Sequence, residues 1–159
     1  MKHREADRLK VVRLARAGFM GHPRPAMCMS HGDDCPECRD HETSLSGKTR
    51  DTLVVEDLGT VAWNPLAHMK PSAMAFFLPT IIRLAVDNVP DADGEPFACR
   101  FINLVLDGPN DPRFRFFVPP ERRAVVHALE FIREYLAEVV ESEGWGGELD
   151  AALGRWRCE

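Results

Sequence analysis

Pro71-Ser72-Ala73-Met74-Ala75-Phe76-Phe77-Leu78-Pro79-Thr80-Ile81-Ile82-Arg83-Leu84-Ala85-Val86-Asp87 decides the fold class. Met74, Phe77, Leu78, Ile81, Ile82, Leu84 and Ala85 recur at the 3.6-residue spacing of a helix and make a broad apolar face. Pro71 suits the first helical turn, where its missing N–H leaves no gap. Pro79 lies inside the stretch, so it reads either as one kinked helix or as two, the second opening at Pro79. A face this wide needs cover on more than one side, which points to core rather than to a binding groove.

N-terminal to this stretch, residues 3–19 read as a first helix ended by Gly18, Gly21 and the pair Pro23 and Pro25. Val125, Leu129, Ile132, Leu136 and Val139 repeat at helical spacing and predict a long helix from about residue 120 to 143, with Gly144 placed as its cap. A short final helix around 147–156 packs back through Leu149, Leu153 and Trp156. Residues 53–62 and 97–106 fit strand or helix equally, and 113–118 reads as a short extended piece. The expected architecture is mainly α: a single compact helical domain over 1–159, with at most one or two short extended segments. Residues 1–24 form its basic N-terminal helix and Pro-containing turn, 26–52 a loop region with one short helical turn near 35–43, and 53–159 the helical body.

The chain has 159 residues and a net charge of −5, with 45% hydrophobic and 28% charged residues, a soluble globular balance for one domain. The charge is uneven: residues 1–24 carry +5 and the remainder −10. The acidic body argues against a general nucleic-acid binder, leaving at most weak contact through the basic helix. The basic residues of that helix alternate with apolar ones, as expected of a solvated face pairing with the acidic body. No apolar run reaches the ~18 residues of a membrane span, and no apolar signal-type core follows the charged N-terminus. The cytoplasm is the expected compartment.

Chemistry-bearing residues concentrate between positions 28 and 41. Three of the five cysteines, Cys28, Cys35 and Cys38, lie there with His31 and His41. The pattern His31-x3-Cys35-x2-Cys38-x2-His41 supplies the two sulfurs and two imidazoles of a Cys2His2 zinc site. Its compactness is unusual, because structural zinc sites join ligand pairs a dozen or more residues apart. Cys28 or His22 could replace one histidine. Cys35-Pro36-Glu37-Cys38 is also a C-x-x-C dithiol, the raw material of thiol redox chemistry, although no βαβ pattern surrounds it. A third reading is a polar loop whose cysteines only pack. His68 and His127 each stand alone beside apolar residues and read as packing histidines. No phosphate loop, nucleophile elbow or H-E-x-x-H is present in the sequence.

Three segments resemble a family of small uncharacterised bacterial domains. They are Cys35-Pro36-Glu37-Cys38, the Met69–Pro79 run with its aromatic pair before Leu78-Pro79, and Phe116–Phe131. Lys70 stands where that family has a threonine. The resemblance implies a predominantly helical single domain and carries no activity with it. The expected function is a non-enzymatic protein-interaction module of immunity or regulatory type, meeting a protein partner through its acidic surface. A structural zinc site of His31, Cys35, Cys38 and His41 is its candidate metal centre, and a thiol-redox protein using Cys35 and Cys38 is the alternative.

Overall fold

The stretch from Pro71 to Asp87 is one continuous helix. In the computed structural model, which describes residues 2–158, seven α-helices follow one another: α1 (Lys2–Gly18), α2 (Pro36–Leu45), α3 (Pro71–Asp87), α4 (Phe97–Val105), α5 (Pro119–Tyr135), α6 (Ala137–Ser142) and α7 (Gly146–Arg157). The fold is mainly α, and no β-strand occurs among the described residues. Extended pairing there is confined to two isolated bridges, Met29 with Met69 and Pro90 with Pro96.

α3 is the centre of the molecule. Twelve of its residues are buried, and α1, α4 and α5 pack around it. Pro79 leaves it unbroken, although the ring removes the N–H that the Ala75 carbonyl would accept. Arg50 braces this position. Its Nε donates to Phe76 O at 2.6 Å, its guanidinium lies 4.7 Å from the centre of the Phe76 ring, and its own carbonyl accepts from Thr80 Oγ1 at 2.6 Å. Arg50 Nη2 also donates to Phe19 O just beyond α1, so one side chain fastens the irregular 46–54 segment to two helices. Asn88 ends α3 in the left-handed region at φ 50°.

The ambiguous segments resolve without strands. Residues 55–58 form a single 3-10 turn, and Phe97–Val105 is α4. Residues 113–118 are not extended. Phe114 and Arg115 both donate backbone hydrogen bonds to Asp111 O, and the resulting coil turns Phe114 fully into the core. The long C-terminal helix is also divided. α5 stops at Tyr135, and Leu136 takes φ −123° before α6 begins. A straight continuation would have kept Val139 on the buried face. The break rotates the last turns so that Val140 is buried instead and Val139 only half so.

Around α4 the core contains one cation. Arg100 is 5% exposed and donates to Leu58 O at 2.7 Å, Gly59 O at 2.8 Å and Asn64 Oδ1 at 3.0 Å. Asp91 Oδ2 lies 3.4 Å away as its counter-charge. Burial lowers the pKa of this guanidinium, and Asp91 opposes that shift. The turn it holds requires Gly59: at φ +58° a Cβ would fall 2.1 Å from Trp63 O. On the surface, two basic residues of α1 pair with the acidic body. Arg8 meets Asp87 at 2.7 Å, and Arg16 reaches Asp51.

Two stability predictions follow from these contacts. Arg100→Ala removes the counter-charge of buried Asp91 and the donors to the Leu58 and Gly59 carbonyls, so urea denaturation should show a loss of about 3–5 kcal/mol. Arg100→Lys should recover little of it, because an ammonium lacks the planar fork that reaches three acceptors at once. Val140→Ala should cost about 2 kcal/mol and Val139→Ala less than about 0.5 kcal/mol. Equal losses at 139 and 140 would contradict the rotated register of α6.

Candidate metal centre

The polar segment between α1 and α3 is shaped by α2. Pro36 occupies its first turn and Cys35 is its N-cap, with Cys35 Sγ accepting a hydrogen bond from Cys38 N at 3.4 Å. Capping places Cys38 inside the first turn, where it is 1% exposed. Glu42, on the next turn, receives the backbone N–H groups of Cys28 and Met29 at 2.9 Å. These bonds lay the 28–31 segment alongside α2.

A second constraint brings in a distant residue. Ser30 N donates to His68 O and Lys70 N to Cys28 O, each at 2.7 Å, and together they make the antiparallel bridge of Met29 with Met69. Met29 and Met69 are each 1% exposed, so their side chains anchor the bridge in the core. The 3-10 turn of Pro65–Ala67, started by Asn64 as cap, then presents His68.

The bridge assembles a group of three ligand atoms. One atom each from His31, Cys38 and His68 lies within 4.8 Å of the other two, so the group could hold a metal ion. His31 Nδ1 is 3.4 Å from Cys38 Sγ. In tetrahedral zinc, bonds of about 2.0 Å to nitrogen and 2.3 Å to sulfur place those two atoms roughly 3.5 Å apart. Glu37 lies outside the group and reaches His68 Nε2 at 3.4 Å. A carboxylate on a histidine ring is the usual outer partner of a metal ligand, fixing tautomer and orientation. A hollow of about 250 Å³ lies beside His31 and Cys38, walled by Met27, Arg39 and Glu42.

The four residues read from the sequence are therefore divided. His31 and Cys38 belong to the group of three, while Cys35 and His41 fall outside it. Cys35 caps α2, its sulfur accepting the backbone N–H of Cys38. His41 is 2% exposed, 3.4 Å from Glu37 Oε1 and packed at 5.1 Å against the Trp63 ring. His68, read as a packing residue, stands in the group instead. Its signal in the sequence was its separation of 30 positions from Cys38, the spacing that lets a chain wrap an ion. His127 remains apart on α5, 3.3 Å from Glu130.

The thiols differ sharply in environment. Burial pushes Cys38 up, and the neighbouring Cys35 thiol adds to this. Burial also raises Cys28, and it raises Cys99 to about 11. Brief alkylation of the metal-free native protein at neutral pH should label exposed Cys158 first and half-buried Cys35 more slowly. Cys28, Cys38 and Cys99 should react only on unfolding, as peptide mapping would show. Rapid labelling of Cys38 in the native protein would contradict the packing of α2.

No helix among the described residues is long and apolar enough to cross a membrane. No family model matches this chain, and no curated protein or solved structure was found to match it.

Proposed function

We propose that this protein is a small zinc-binding interaction module of regulatory type, with His31, Cys38 and His68 as the protein ligands of the ion. The proximity of these three side chains, contributed by segments thirty positions apart, carries the reading. Imidazole and thiolate donors suit zinc better than magnesium or calcium, which take oxygen. Three protein ligands leave the fourth position to water. The role of the ion is to fasten the 28–31 segment and the start of α2 to the turn before α3.

The interaction part of the proposal rests on the surface beside that site. Val61 and Trp63 are 59% and 47% exposed on the turn that packs against His41, and Trp is a favoured anchor at protein interfaces. The acidic body would select a protein partner with a basic surface. Membership of the family of small bacterial helical domains, and a cytoplasmic location, belong to the same proposal and rest on the sequence alone.

Elemental analysis of protein purified without a metal-binding tag should find about one zinc per chain. His68→Ala should abolish stoichiometric zinc, whereas His41→Asn should retain it. Glu37→Gln should weaken affinity about 10- to 100-fold, as loss of an outer-shell partner does. Wild-type protein that binds no zinc under non-chelating conditions would refute the proposal. Turnover of a small molecule, lost on changing one residue, would contradict its non-enzymatic part.

A further inference from the structure

We infer that Cys35 is a site of oxidation by hydroperoxides, and that its oxidation expels the metal by capturing Cys38 in a disulfide. The inference rests on the zinc reading above and adds a regulatory chemistry to it.

The geometry separates two roles within one dithiol. Cys35 is half-buried at the helix cap and lies outside the group of three ligand atoms. Cys38 is almost wholly buried and belongs to that group. An oxidant therefore reaches Cys35 first, while Cys38 is the sulfur that matters to the ion. Cys35 Sγ lies 3.4 Å from the backbone nitrogen of Cys38. The N-cap and third residues of a helix have Cα atoms about 5 Å apart, within the span that a disulfide bridges. Cys28 and Cys99 are buried, leaving Cys158 as the other accessible thiol, on the C-terminal tail.

The chemistry balances with a hydroperoxide as the oxidant. The Cys35 thiolate attacks the peroxide: an S–O bond forms, the O–O bond breaks, and hydroxide (from hydrogen peroxide) leaves. The Cys38 sulfur then attacks the sulfenic sulfur: an S–S bond forms, the S–O bond breaks, and hydroxide departs again. With the Cys35 proton and one from solvent, since the zinc-bound Cys38 thiolate carries none, one hydrogen peroxide becomes two waters while two sulfurs lose two electrons in all. Zinc changes no oxidation state. It loses its thiolate ligand, and two imidazoles from His31 and His68 hold it far more weakly.

The test uses full-length, zinc-loaded protein carrying Cys158→Ser, with the zinc content measured before oxidant is added. Hydrogen peroxide is titrated in the presence of a chromophoric zinc indicator, and disulfides are mapped by mass spectrometry. The expected result is release of zinc in step with a Cys35–Cys38 disulfide, with rebinding after a dithiol reductant. Cys35→Ser keeps α2 capped, because serine is a strong N-cap, and should bind zinc normally yet release it at least about tenfold more slowly. Zinc release unchanged by Cys35→Ser, or a disulfide formed with zinc retained, would overturn the inference. So would failure of Cys35→Ser to bind zinc, since Cys35 would then be a ligand. Absence of zinc from the wild type before oxidant is added would instead sink the metal reading.

Discussion

α3 cannot exist without the rest of the molecule. A helix with twelve of seventeen residues out of water has no stable form of its own, and each flanking element covers part of it. α1 and α5 cover it together with α4, and Arg50 braces the point where Pro79 interrupts its hydrogen bonding. Because α3 begins at Pro71, the chain just before it is fixed in place by the same packing. Met69 is buried there, and its backbone neighbours are the partners of Cys28 and Ser30. The candidate metal centre is thus set at the N-terminal end of the one helix that the fold cannot move.

That dependence explains how a polar segment with little apolar content acquires a defined shape. Between residues 26 and 52 the chain cannot build a core, and it relies on directed bonds instead. Glu42 holds two backbone N–H groups, Cys35 caps α2, and the Met29–Met69 bridge ties the segment to α3. Each of these is worth little alone, about 1 kcal/mol net for an ordinary hydrogen bond. An ion shared by His31, Cys38 and His68 would add a cross-link in the same place and the same direction, so folding of this segment and metal binding should reinforce one another.

Much of this was legible in the sequence, and the exceptions have physical causes. The helices α1, α3 and α7 follow from apolar spacing and from their Pro and Gly boundaries. The break at Leu136 left no such signal, since no Pro or Gly marks it, and only the burial of Val140 in place of Val139 accounts for it. Segments such as 97–105 were ambiguous because eight of nine residues are buried, which erases the polar face that distinguishes a helix from a strand. For the site, His31 and Cys38 could be read from local spacing. Local spacing also favoured His41, which α2 instead turns beneath Trp63. His68 enters through two backbone hydrogen bonds, and backbone pairing between irregular segments has no signature in side-chain pattern.

The zinc coordination shell distinguishes the group of His31, Cys38 and His68 from a ligand set with two sulfurs or with none. X-ray absorption at the zinc edge of the reduced, loaded protein reads the number and kind of ligand atoms without reference to the fold. The account predicts a four-coordinate shell with a single sulfur at about 2.3 Å and nitrogen or oxygen donors at about 2.0 Å, imidazole scattering included. A shell with two sulfurs would make Cys35 a ligand and contradict its assignment as the cap of α2. A shell of oxygen donors alone would contradict the site altogether.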